Sequence, residues 1–154
     1  MPDDSTAIEL QGAIEDISHL KTRLAILQSE EGFVDALRLN LGSAERRLKS
    51  LIALQLLDAK STELLLPEVL ALSLSHRDAL HVRELLGRLP RPYLDEHLPP
   101  LVDELLLERD YDTFRRMAEL LRHLGLDTSL TALLDQAQDD PDPEIREVAN
   151  DFRD

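Results

Sequence analysis

The 154-residue sequence contains no cysteine and no tryptophan, and aromatic residues make up only 3% of it. Without cysteine there is no disulfide, no thiolate metal ligand and no thiol nucleophile. A chain without disulfides suits the reducing cytoplasm, where we expect the protein to act. β-Branched residues are also sparse, so the composition does little to favour β-sheet.

Long apolar runs and a basic N-terminus are missing as well. The longest predominantly apolar stretches, such as residues 51–57, are far shorter than the roughly 20 residues that span a bilayer. The chain starts with Asp3 and Asp4 where a secretory signal would carry basic residues. We therefore expect no membrane partner and no targeting segment.

The sequence is instead rich in leucine and in acidic residues. Leucine fills 35 positions and 43% of all residues are hydrophobic, which predicts an all-α protein whose residues 1–154 form a single domain. The 31 acidic residues outnumber the 17 basic ones, giving a formal net charge of −14. Such a charge repels nucleic acid at long range, so a nucleic-acid partner is disfavoured unless a local basic patch exists.

The first 31 residues carry one long amphipathic pattern, which predicts a helix of about 24 residues that ends before Gly32. Near its end the spacing approaches that of a coiled coil, but His19 and Lys21 interrupt it, so we expect the helix to pack as a cap. Homodimerisation through the same face is the alternative, and it would use Ile17, Leu20, Leu24 and Leu27.

Beyond Gly32 the chain repeats. Residues 84–86 match 119–121 at a shift of 35, and residues 114–118 match 145–149 at a shift of 31. A period of this size predicts repeated helical hairpins that stack on one another. The four predicted helix pairs are 33–40 with 43–57, 62–74 with 77–89, 94–108 with 111–124, and 128–138 with 142–152.

The last of these pairs carries the most specific motif. Residues 140–149 read Asp-Pro-Asp-Pro-Glu-Ile-Arg-Glu-Val-Ala, and residues 98–121 follow a related pattern. This pattern resembles the HEAT-repeat family over roughly residues 32–152. The resemblance implies a short right-handed α-solenoid of about four HEAT-like helix pairs, preceded by the N-terminal helix. It also implies protein–protein scaffolding, and it brings no catalytic residues with it.

Residues that could support catalysis or metal binding are scattered. No two of the five histidines lie four residues apart, the spacing that would put two metal ligands on one helical face. The acidic group Asp139, Asp140, Asp142 and Glu144 lacks the glycine and the distal glutamate of a calcium loop, so helix capping explains it better. We expect no metal, no cofactor and no enzymatic activity.

Charge is divided unevenly between the two helices of each pair. The segments 62–74, 94–108 and 127–138, all in first helices, contain no lysine or arginine. In a HEAT-like stack the second helices line the concave face, so their arginines are predicted to form a ridge that binds an acidic or phosphorylated segment of a partner protein. The arginines predicted to point outward on this ridge are Arg46, Arg77, Arg88, Arg115, Arg116 and Arg122.

Several alternatives remain at this point. The arginines could instead form ion pairs within their own helices, for example Arg115 and Arg116 with Glu119. The ridge could grip a nucleic-acid backbone, or the chain could be a subunit of a lyase-type enzyme, since some HEAT-like proteins resemble bilin lyases. Residues 126–154 carry nine acids and two bases, which suits either an acidic end cap or a docking site for a basic partner.

Overall fold

The computed structural model describes residues 4–153, and all regular secondary structure there is helical, as the composition predicts. None of these helices is both long and apolar enough to cross a membrane. The chain divides into two compact units, an N-terminal unit (Met1–Ser61) and a C-terminal unit (Thr62–Asp154). The prediction of a single domain stays a prediction.

The α-helices are α1 (Asp4–Leu27), α2 (Phe33–Gly42), α3 (Arg47–Leu56), α4 (Ala59–Leu64), α5 (Leu66–Ala71), α6 (Ala79–Gly87), α7 (Arg91–Leu106), α8 (Tyr111–His123), α9 (Asp127–Gln138) and α10 (Pro143–Arg153), with a 3₁₀ turn at Leu72–Leu74.

In the N-terminal unit, α2 and α3 form a hairpin that buries Leu37 and Leu41 against Leu51 and Leu54. Helix α1 behaves differently, because it has no buried residue and Leu24 is its single half-buried position. The expected cap packing of α1 is therefore limited to its C-terminal end, where it contacts α3.

The C-terminal unit is arranged around α8, which packs against α7, α9, α10 and the 3₁₀ turn. The apolar spacing of the α8 sequence predicts that Phe114, Met117, Ala118 and Leu121 point inward, and all four are buried. Helices α9 and α10 pack on each other as the last hairpin, and both bury apolar side chains, among them Leu133 of α9 and Val148 of α10. Within this unit α8 therefore contacts helices that lie both before and after it in the chain.

The first helix of the second pair differs from its prediction. A continuous helix was expected over residues 62–74, but the structure breaks it into α4, α5 and the 3₁₀ turn. Pro67 explains the break, because proline has no N–H to donate to the carbonyl of Glu63 one turn earlier. The hydroxyl of Tyr93 donates to that carbonyl instead, at 3.1 Å. Burial and the nearby charge of Glu63 together raise the pKa of Tyr93.

Helix ends in the C-terminal unit follow the capping rules. The carboxylate of Asp142 accepts the backbone N–H of Glu144 at 2.9 Å, which confirms the predicted cap ahead of Pro143. Helix α8 ends in a Schellman motif, in which Gly125 has a φ of 65° and the N–H of Leu126 donates to the carbonyl of Leu121 at 2.9 Å.

Helix α7 contains two consecutive prolines in its interior, Pro99 and Pro100. Each removes one hydrogen bond from the helix and crowds the carbonyl four residues before it. The helix nevertheless continues through them, and Leu94, Leu98 and Val102 are buried along one side of it. Packing of this side therefore outweighs the unfavourable local propensity.

Candidate functional site

A shallow depression of about 540 Å³ lies in the C-terminal unit, where side chains from α6, α8 and the end of α10 meet. It collects three arginines, two histidines and a phenylalanine around a single carboxylate. We call it the arginine depression. It is lined by His76, Arg83, Arg116, Glu119, Arg122, His123 and Phe152.

Glu119 is shared by several guanidinium groups. Its carboxylate lies 3.3 Å from Nη1 of Arg116, 3.6 Å from Nη2 of Arg83 and 3.7 Å from Nε of Arg115. The side chains of Arg83 and Glu119 are only 30% and 29% exposed, so this cluster is partly shielded from water. One carboxylate cannot neutralise this many cations, and with neutral histidines the depression keeps a net positive charge.

Arg122 has no carboxylate among the contacts that the structure gives it. Its Nη2 donates to the backbone carbonyl of Phe152 at 2.5 Å, and its guanidinium carbon lies 4.7 Å from the centroid of the Phe152 ring. A cation over an aromatic face is held in place electrostatically while its remaining N–H groups stay available to a ligand.

Arg116 is fixed from a second side by His76. Its Nη2 lies 3.0 Å from Nδ1 of His76. Because a guanidinium can only donate, Nδ1 must accept this hydrogen bond, and the proton of the neutral ring sits on Nε2. The contact connects α8 with the turn that precedes α6 and holds Arg116 at the rim of the arginine depression.

The structure brings together only part of the predicted ridge. Arg116 and Arg122 line the arginine depression, whereas Arg115 turns toward α10 and pairs with Asp151 at 2.8 Å. Hydrogen bonds to Asp151 and to the hydroxyl of Tyr111 raise the pKa of Arg115. The alternative of pairing within the helix is confirmed for Arg115 and Arg116, since both contact Glu119.

The other three predicted arginines lie apart from this group. Arg77 and Arg88 are exposed residues of the C-terminal unit that do not line the arginine depression. Arg46 belongs to the N-terminal unit. Arg83 lines the arginine depression but was not predicted as a site residue. It lies 33 positions before Arg116, within the range of the repeat period, and this spacing is the signal that could have found it.

A second recess, the apolar cleft, lies within the N-terminal unit and has a volume of about 580 Å³. Its walls come from the end of α1 and from α2 and α3, and include Leu24, Leu27 and Phe33. Arg46 and Lys49 are among its few charged lining residues. The cleft therefore has the character of a hydrophobic contact surface.

The acidic group near the C-terminus has a structural role. Asp140 is buried and accepts from Nε and Nη2 of Arg109 at 3.2 and 2.8 Å, and it also accepts the backbone N–H of Asp142 at 2.9 Å. The hydrogen bonds from Arg109 and Asp142 lower the pKa of Asp140. Among residues 4–153, no group of three His, Asp or Glu side chains is placed to hold a metal ion.

Known proteins give no guide to the use of either recess. No protein-family model matches the chain, and neither a curated protein nor a solved structure does.

Proposed function

We propose that the protein is a non-enzymatic interaction module of the cytoplasm that binds an acidic or phosphorylated segment of a partner protein in the arginine depression. The observation that carries this proposal is the excess of cations there: Arg83, Arg116 and Arg122 line the depression with Glu119 as their single carboxylate. On a chain of net charge −14, a basic recess built from two helices and the end of a third favours a binding role.

The chemistry of arginine selects the ligand. A guanidinium has five N–H donors in a planar fork. Arg83 and Arg116 use only some of these donors in their contacts with Glu119. The unused donors match the paired oxygens of a carboxylate or a phosphate, and charge-assisted bonds of this kind contribute about 1.5–3 kcal/mol each. Partial burial of these side chains strengthens the attraction.

The acidic surroundings weaken this binding without abolishing it. At physiological ionic strength charges are screened beyond about 8 Å, so a bound anion interacts mainly with the side chains that touch it. The net charge of −14 acts chiefly on approach and lowers the association rate. Specificity for a short acidic segment then comes from the depression itself.

We further propose that the helix pairs stack in sequence order as a short HEAT-like α-solenoid. Hydrogen bonds in the C-terminal unit support this, because several join residues 30 to 36 positions apart, close to the repeat period of 31 to 35. A crystal structure in which α9, in the last helix pair, packed against α5 around a common centre would contradict the stacking.

Binding of defined peptides tests the function. Fluorescence anisotropy would follow a labelled peptide of about ten residues rich in glutamate, and a second peptide that carries phosphoserine, against the full chain. Replacing Arg83 and Arg122 together with glutamine removes two cations from the arginine depression and should weaken binding at least tenfold, which corresponds to about 1.4 kcal/mol.

Arg77→Gln together with Arg88→Gln is the matched control. It changes the net charge by the same amount but leaves the arginine depression intact, so binding should stay within about twofold. Equal losses in both double variants would show long-range attraction in place of a local site. Random duplex DNA should not bind at 50 mM salt, and strong, salt-sensitive DNA binding would favour the nucleic-acid alternative.

A further inference from the structure

The long N-terminal helix exposes a continuous apolar stripe. Leu10, Ala13, Ile17, Leu20, Leu24 and Leu27 follow one another at alternating steps of three and four residues. This is the spacing of the contact positions in a coiled coil, and it spans about 25 Å of helix. In this register His19 and Lys21 fall beside the stripe and do not interrupt it.

Within residues 4–153, most of the stripe is left uncovered, and only Leu24 near its end is half-buried. Ile17 is 54% exposed and Leu20 is 44% exposed, and α1 has no buried residue. At its C-terminal end the stripe reaches the apolar cleft, because Leu24 and Leu27 belong to the stripe and also line the cleft. A contiguous apolar surface of this length marks an interaction site in a soluble helix.

The charges of α1 indicate what covers the stripe. All acidic residues of α1 lie between Asp4 and Asp16, and its basic residues, Lys21 and Arg23, lie in its last third. Among the described residues, neither Asp16 nor Arg23 has an ion-pair partner. A helix with one acidic end and one basic end is complementary to an antiparallel copy of itself.

We propose that α1 pairs with α1 of a second copy of this chain as an antiparallel two-helix coiled coil. Leu10 then faces Leu27 of the second copy, and Ile17 faces Leu20. Ala13 faces Leu24, so a small residue meets a large one in a layer that a parallel pair would fill with two alanines.

The flanking positions favour the same orientation. In the antiparallel pair Asp16 lies beside Arg23 of the second copy, and symmetry repeats this contact. A parallel pair would join Asp16 to Lys21 of the second copy, but it would leave Arg23 beside the uncharged Gln28. It would also place the two acidic ends side by side, which like-charge repulsion opposes. At the end of the stripe, Leu10 of the second copy covers Leu27 at the mouth of the apolar cleft.

Sedimentation equilibrium of the full chain tests this inference. The wild-type protein should be a dimer at micromolar concentration. Ile17→Lys should raise the dimer dissociation constant more than 100-fold, because the buried apolar contact is lost twice and two charges are introduced. Ile26→Lys carries the same change on the opposite side of α1 and should dimerise like the wild type.

A charge exchange tests the orientation. Asp16→Arg and Arg23→Asp should each weaken self-association about tenfold, because each places like charges together twice. In a parallel pair position 23 would face the uncharged Gln28 of the second copy, so Arg23→Asp would have little effect there. An equimolar mixture of the two variants should recover the dimer, because position 16 of one chain again meets an opposite charge at position 23 of the other. Circular dichroism would verify that each variant keeps its helix content.

Three results would overturn the inference. A wild-type chain that stays monomeric to millimolar concentration would mean that a different molecule covers the stripe. Equal dimerisation of the Ile17→Lys and Ile26→Lys variants would place the interface elsewhere. If the mixture of the Asp16→Arg and Arg23→Asp variants did not recover the dimer, the antiparallel arrangement would be wrong. None of these results bears on peptide binding by the arginine depression.

Discussion

Helices α1 and α8 use similar residues to opposite effect. Helix α1 has 24 residues and buries none of them, whereas α8 has 13 residues and buries six. Both contain leucine and other large apolar side chains. The difference lies in their neighbours, because α8 packs on helices both before and after it in the chain, while α1 contacts α3 only near its own end.

Apolar content alone therefore does not decide burial. Each core position of α8 is held by several helices at once, so its contribution to stability is shared with the whole C-terminal unit. The apolar stripe of α1 keeps most of its surface exposed, and its stabilisation within the monomer is correspondingly small. The two helices should therefore respond very differently to equivalent substitutions.

The largest difference is expected for truncation of apolar side chains. Leu121→Ala removes a fully buried side chain of α8 and should lower the free energy of unfolding by about 2–5 kcal/mol. Ile26→Ala on α1, where the side chain is 61% exposed, should change it by less than about 0.5 kcal/mol. Urea unfolding followed by circular dichroism measures both, and equal losses would contradict the comparison.

A smaller effect, dependent on pH, is expected at the loop contact between Arg109 and Asp140. The pKa of Asp140 is lowered in the folded state. Its ionised carboxylate therefore stabilises the folded state above about pH 4, the usual pKa of an aspartate, and this stabilisation is lost as the pH falls toward the lowered pKa. Asp140→Asn should lower the Tm at pH 7, and the difference from wild type should shrink below about pH 4. A difference that grew in acid would disprove this sign.

The smallest effects come from two glycines and should have opposite signs. Gly125 has a φ of 65°, which an alanine adopts only with strain, so Gly125→Ala should destabilise the C-terminal unit by about 1–2 kcal/mol. Gly12 lies within α1, and an added Cβ meets nothing within 4 Å. Gly12→Ala should stabilise α1 by about 0.5–1 kcal/mol.

Hydrogen exchange distinguishes the two glycine effects. Amides of α1 should exchange several-fold more slowly in the Gly12→Ala variant while those of α8 are unchanged, because α1 opens locally. In the Gly125→Ala variant the amides of α8 should exchange faster. Uniform changes across both helices would mean that they unfold as one body.

Much of the helical architecture follows from local sequence. The apolar spacing of α8 correctly predicts its buried face, and the Asp-Pro pair at 142–143 correctly predicts the start of α10. These features depend on residues within one turn of each other, so the sequence carries them directly. The break at Pro67 was missed although proline is a local signal. Pro99 and Pro100 lie inside α7 without ending it, so proline alone does not decide where a helix breaks.

The candidate site was harder to predict than the helices. The sequence predicts which arginines lie on outward faces, and two of them, Arg116 and Arg122, line the arginine depression. It does not show that Arg115 turns to Asp151, because that contact spans 36 residues and depends on the packing of α10. The contribution of Phe152 likewise required the three-dimensional arrangement.

The two prolines inside α7 have a consequence for the order in which this protein gains structure. An isolated peptide of residues 91–106 should be almost unstructured, because each interior proline disfavours helix by about 3 kcal/mol. The segment can form a helix only when Leu94, Leu98 and Val102 pack against other helices of the unit. We therefore expect α7 to become helical only as the surrounding unit comes together.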